Sequence, residues 1–246
     1  WLIIFYQWFI TIPLLELKNH KLKKDNDESS IFRLFFVGFA LIFLFIMPYL
    51  GYQSGVSGDE YVNYKHAKYV INYFKTSGAD TSALNTPITN LKYYGQSFDN
   101  ITAIVNEFFN IEKVYEARHI LNSFSGWVAI LFTGLLASLI AGWRAGLITL
   151  LFMFLSPRFI GHCWNNPKDI PFAMTYIFTI YYLVLFLKQL PKIKLSTIIL
   201  LTLGIALAIS VRIGGLLLIA YLFMFVGLYY LLNTKITTIF EKINLI

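Results

Sequence analysis

Cysteine is nearly absent from this 246-residue chain. Cys163 stands alone, so no intramolecular disulfide can form. Charge is also scarce: Asp, Glu, Lys and Arg make up 13% of the residues, against about a quarter in a soluble domain. Hydrophobic residues make up 57%, which excludes an ordinary soluble globular class. The chain has no P-loop, no glycine fingerprint for a dinucleotide and no nucleophile elbow. His162 and Cys163 lack the further spaced ligands that a zinc site needs. Basic residues outnumber acidic ones, 20 to 13. In so apolar a chain they mark cytoplasmic loops rather than nucleic-acid contacts.

What the chain does have is long apolar runs. A helix rises about 1.5 Å per residue, so roughly 20 apolar residues cross a bilayer core. The runs at 32–50, 121–142, 145–160, 170–187 and 196–232 meet that test. The last is long enough for two helices, with a natural break at RIGG (212–215). The opening run, 1–17, is short and carries Pro13 and Glu16. It has no basic region before it and no clear small-residue cleavage site, so it is a poor signal peptide and a candidate seventh span. The expected fold is an all-α polytopic membrane protein with about six to seven transmembrane helices. Residues 1–30 form an N-terminal segment, a candidate extra span plus a basic stretch, and 31–246 form the transmembrane domain. Within that domain 51–119 is a long first extracytoplasmic loop containing interfacial helices.

Lysine and arginine in short loops set orientation. Lys18, Lys21, Lys23, Lys24 and Arg33 precede the first clear span, KQLPKIK (188–194) carries three lysines, and Lys235 and Lys242 lie in the tail. Alternating spans put all of these, and the turn at 142–146, on one side. The other side receives 51–119, the loop 156–171 and Arg212. In the first of these, Tyr61, Tyr64, Ala67, Ile71 and Phe74 recur at helical spacing and suit a helix lying in the interface. The stretch 76–90 reads as a polar connector, and 101–119 as an amphipathic segment running into the next span.

Three constellations on that side carry chemistry. SGDE (57–60) matches a capping box, with Ser57 as N-cap and Glu60 reaching back to its amide. The same acids suit a general base or a metal ligand at a lipid–water boundary, and Glu60 can cap while Asp59 points elsewhere. SPRFIGHCWNNPKDIP (156–171) places Arg158, His162, Asn165, Asn166, Lys168 and Asp169 within twelve residues. A solvated loop with snorkelling cations is the plain explanation, but a plain turn does not need so many functional groups. Arg212 lies deep between apolar runs. It either snorkels from a span end or offers paired donors to a phosphate. Paired acids, a further acid and several cations on one face form the inventory for displacing a phosphate leaving group.

These residues resemble the GT-C superfamily of integral membrane glycosyltransferases, in particular the branch of protein mannosyltransferases and aminoarabinose transferases (glycosyltransferase family 39). The resemblance is carried by GDE (58–60) after the first clear span, the long first outer loop with KYYGQSFD (92–99), and NPKDIP (166–171) heading a later span; it covers about 31–232. It implies an enzyme that transfers a sugar, by inverting displacement, from a polyprenyl-phosphate donor to a lipid, glycan or protein acceptor. The setting implied is the bacterial inner membrane, with the active site on the periplasmic face, membrane lipids as partners and no nucleic acid. It assigns Asp59, Glu60 and Asp169 to catalysis, and Arg158, His162, Asn166, Lys168 and Arg212 to substrate and phosphate binding. Metal dependence varies in that superfamily. Where a divalent cation such as Mg or Mn takes part, Asp59 and Asp169 are its expected ligands. Family members usually have more spans and a C-terminal outer domain, so the chain is expected to be an N-terminal fragment. The competing classes are a polytopic transporter or lipid flippase, which predicts mid-membrane charges and an inverted repeat, and a structural subunit with no chemistry.

Overall fold

The computed structural model describes residues 26–86 and 90–232, and among these there is no β-strand. The described helices are α1 (Asn26–Tyr52), α2 (Gly58–Lys75), α3 (Ser97–Phe108), α4 (Val114–Ala141), α5 (Trp143–Leu155), α6 (Pro157–Asn165), α7 (Asp169–Gln189), α8 (Leu195–Val211) and α9 (Leu216–Leu232). Short 3₁₀ turns at Leu91–Tyr93 and Ile213–Gly215 precede α3 and α9.

Four stretches are long and apolar enough to cross a membrane: Ser30–Tyr52, Val114–Ala141, Asp169–Gln189 and Ile213–Leu232. Counting α5 and α6 together as one broken span, bent by 67°, makes five. At 17 residues α8 is shorter than the test length. Four or five spans therefore meet the length criterion among the described residues, fewer than the six to seven expected from hydropathy. The candidate span at 1–17, the basic stretch before residue 26 and the tail lysines lie outside the described residues.

Helix limits follow local chemistry. Gly142 takes φ +86°, a left-handed conformation that separates α4 from α5 in one residue. Pro157 occupies the first turn of α6, where its missing N–H is not needed. Arg212 is extended (φ −148°, ψ 142°) and ends α8, as the RIGG break predicted. Two expectations need correction. The stretch 156–171 is not a loop: α6 and the head of α7 occupy most of it, because Pro157 and Pro171 both sit in first turns where a helix tolerates them. Nor does 101–119 run unbroken into the next span, because α3 ends at Phe108 and Asn110 adopts φ +49° before α4 begins.

Phe36, Ala40, Phe43 and Met47 of α1 pack with Ile130 of α4, Leu147 and Leu150 of α5, Cys163 of α6 and Ile170 of α7. The rings of Phe43 and Phe154 stack 3.8 Å apart, and Trp127 Nε1 donates to the Ala40 carbonyl at 2.7 Å. Outward-facing side chains are also apolar. Leu34, Phe45, Phe152 and Phe223 are 71, 72, 70 and 73% exposed, as lipid contact would allow.

The two ends of the bundle differ. At one end Arg33 lies over Trp143, Arg144 over Phe32, and Lys188 donates to the Leu139 carbonyl. At the other, α2, α3, the 3₁₀ turns and α6 form a polar cap. At 28 residues α4 is about 42 Å long. It outruns a hydrocarbon core of about 30 Å, and its first turns carry Arg118, His119 and Asn122 into that cap.

Candidate functional site

The cap is built on Ser57, whose extended backbone (φ −85°, ψ 158°) starts α2. Its N–H donates to Glu60 Oε2 at 2.6 Å, so Glu60 reaches back as its spacing predicted. The Ser57 hydroxyl donates to the Asn165 carbonyl at 3.2 Å, and Asn165 Nδ2 returns a bond to the Gly55 carbonyl at 3.2 Å. These bonds hold the start of α2 against the end of α6. Asn122 on α4 donates to the carbonyls of His162 and Cys163 at the end of α6, the former also accepting from the Asn166 N–H.

The inward face of α2 is polar, with Glu60, Asn63 and His66 buried beside Ala67. The expected aromatic stripe is divided between exposed and half-buried positions. Tyr61 and Phe74 are exposed, whereas Tyr64 packs edge-on to Tyr115 and lies under the Arg118 guanidinium. Glu60 Oε1 meets His119 Nε2 at 2.8 Å, and His119 Nδ1 is 2.9 Å from the Ser54 hydroxyl. A second buried pair joins Asp99 of α3 to Arg118 at 2.5 Å, and Arg118 also donates to Thr102 at 2.7 Å. Burial pushes the Asp99 carboxyl above its usual range, against the opposing pull of Arg118.

Above this layer opens a cavity of about 640 Å³. Asp59, His162, Asn166, Lys168, Asp169 and Arg212 all line it, together with Ser57, Asn63 and Tyr94. Asp169 Oδ1 pairs with Arg212 at 2.5 Å, and its other oxygen accepts from Asn166 Nδ2 at 2.9 Å. Asn166 Oδ1 in turn accepts the Asp169 N–H at 3.0 Å, which fixes the head of α7. The Lys168 ammonium and Arg212 Nε have no hydrogen-bond partner. Lys168 lies over the Tyr94 ring at 5.4 Å. Burial lowers its proton affinity; Asp99 and Asp59 oppose that shift, and Arg212 adds to it.

Six of the eight residues singled out from sequence therefore share one cavity. Glu60 is buried and outside its lining, and Arg158 is exposed and also outside it. Sequence reading missed His119, Arg118, Asp99, Asn122 and Tyr94. One signal was available: Arg118, Asn122, Ser125 and Gly126 form a small, polar face at helical spacing that continues into an apolar span. Among the described residues no group of three or more His, Cys, Asp or Glu side chains is arranged to hold a metal ion. The Asp59 and Asp169 pair falls short of such a set, and Asp169 is already engaged by Arg212.

No protein-family model, no curated protein and no solved structure matches the chain.

Proposed function

We propose that this protein is a membrane glycosyltransferase that takes its sugar from a polyprenyl-phosphate donor and works in the cavity between Asp59, Lys168 and Arg212, on the extracytoplasmic face. The observation that supports it best is convergence. Three segments remote in sequence, 57–63, 162–169 and Arg212, line one cavity and bring Asp59 and Asp169 together with Lys168 and Arg212.

The chemistry follows from those groups. An acceptor hydroxyl or amine attacks the anomeric carbon, and the bond from that carbon to the phosphate oxygen breaks with inversion. Its electron pair leaves with polyprenyl phosphate. Asp59, exposed in the lining, takes the acceptor proton. Lys168, with no partner, and Arg212, with Nε free, stabilise the charge that develops on the phosphate. Asp169 acts as a positioning residue, holding Arg212 toward the cavity.

The 67° break between α5 and α6 is the observation that favours a transporter, since broken helices line transport sites. Against it, the paired charges gather at one end of the bundle rather than at its middle. The deciding experiment supplies a polyprenyl-phosphate sugar to wild-type protein and to Asp59→Asn, both shown to be folded. Transfer by the wild type and its loss in the variant support the reading. Equal transfer by both removes Asp59 as the base, and substrate movement across a vesicle membrane without transfer would establish the transporter.

A further inference from the structure

A second cavity, of about 260 Å³, shares a wall with the first: Leu91 and Tyr94 line both. Its size is close to the lower end of small-molecule sites, about 300 Å³. It contains none of the acids or cations assigned above.

Three of its polar side chains share one feature, an acceptor without a partner. His66 and Gln96, 4 and 8% exposed, both line it. His66 Nε2 is 3.3 Å from the Ala83 carbonyl, which can only accept, so the ring proton is on Nε2. That leaves Nδ1 as an acceptor, and it has no partner. Burial also lowers the proton affinity of His66, which keeps the ring neutral. Gln96 Nε2 donates to the Leu91 carbonyl at 3.4 Å, and its Oε1 is left without a partner. Asn100 Oδ1, in the same lining, is a third orphan acceptor. Unsatisfied buried polar atoms are uncommon enough to require a reason, and here three acceptors belong to residues that line one cavity.

The missing partner must therefore donate hydrogen bonds. An anion would face these lone pairs, and Lys92, the cation of the lining, already donates to the Leu84 carbonyl at 3.3 Å. A cation would meet Lys92 and no carboxylate. Neutral hydroxyls remain, and the Tyr73 and Tyr94 rings offer apolar faces for a ring carrying them. We propose that this cavity binds a neutral polyhydroxylated ring, the chemical class of a glycosyl residue, whose hydroxyls donate to His66 Nδ1 and Gln96 Oε1. The site requires no reaction in the first cavity, so it stands or falls separately from the transferase reading.

The test uses purified protein in a sugar-free detergent and ligand-observed saturation-transfer NMR. The probes are the methyl glycosides of glucose, galactose and mannose, with their fully O-methylated analogues as donor-free controls. At least one free glycoside should bind, its O-methylated analogue should not, and Gln96→Leu should weaken binding about tenfold. Asp59→Asn, altered only in the first cavity, should bind as wild type does. On wild-type protein the ¹⁵N signal of His66 Nδ1 should move on binding, a readout that does not depend on any variant folding. The proposal is overturned if no glycoside binds, if the O-methylated forms bind equally, if the His66 signal stays still, or if Asp59→Asn abolishes binding while Gln96→Leu preserves it.

Discussion

Glu60 Oε1 lies 2.8 Å from His119 Nε2, with both side chains almost fully buried. Glu60 belongs to α2 and His119 to α4, and the Ser54 hydroxyl at His119 Nδ1 ties in the end of α1. One imidazole thus joins the three segments that present Asp59 to the cavity.

Removing one partner of such a pair leaves the other buried and unsatisfied, at a cost of about 3 kcal/mol. Glu60→Ala should therefore lower the melting temperature of the detergent-solubilised protein markedly. Glu60→Gln keeps an acceptor for the Ser57 N–H and should lose only about 1 kcal/mol. Thermal unfolding of the two variants beside wild type checks the order. Equal melting temperatures for wild type and Glu60→Ala would show that the pair does not hold the cap.

The Asp169–Arg212 pair should behave in the opposite way. Its side chains are 57 and 41% exposed, and ion pairs this open contribute about 0–1 kcal/mol. Asp169→Asn should melt close to wild type yet transfer sugar about tenfold more slowly, because Arg212 loses its orientation toward the phosphate. Transfer rates at matched melting temperatures separate the two effects. A variant with the wild-type rate would leave Asp169 without a role in the reaction.

The contrast between these pairs shows what hydropathy and spacing could reveal. Asp59, Asp169 and Arg212 were legible because each stands out against an apolar background near a span end, and alternation of spans was enough to gather them at one end. The capping role of Glu60 was legible because its contact is local, three residues away. The pairs Glu60–His119 and Asp99–Arg118 are 59 and 19 residues apart in sequence. Nothing local chooses their partners, so only the packing of α2 and α3 against α4 reveals them. The polar inward face of α2 was hidden for a related reason. In a chain whose outward surface is apolar, helical spacing of rings does not say which face packs on the protein, and here it is the polar face with Glu60, Asn63 and His66.

Lys168 should trade stability for binding. Burial lowers its proton affinity below the ordinary lysine value of 10.5. Below that value the unfolded chain holds the proton more readily than the folded one, so this residue penalises the fold at neutral pH. The penalty is relieved as pH rises toward 10.5. Lys168→Met should raise the melting temperature at pH 7, with a gain that shrinks in alkaline buffer, while weakening affinity for polyprenyl phosphate. Its contact with the Tyr94 ring offsets part of the penalty. Melting curves across pH, paired with binding of polyprenyl phosphate, test both halves. A Met variant less stable at pH 7, with a gap that does not change with pH, would refute this account.

Gly95 gives a last prediction, because it sets the height of α8 against the cap. A Cβ built there would press on the backbone carbonyls of Ser210 and Val211, the latter at 2.6 Å, and backbone has no rotamer with which to yield. The approach is reinforced by the Ser210 hydroxyl donating to the Ser97 hydroxyl at 2.9 Å. Arg212 directly follows these residues, so this contact helps to place the backbone from which its side chain reaches Asp169. Gly95→Ala should push α8 and the 90–97 segment apart, destabilising by about 1–3 kcal/mol as overpacking does, and should reduce transfer beyond what the stability loss explains. Ser97→Ala removes one hydrogen bond without adding bulk and should cost only about 1 kcal/mol. If Gly95→Ala and Ser97→Ala lose the same small amount of stability and neither slows transfer, the contact is incidental and Arg212 is positioned by Asp169 alone.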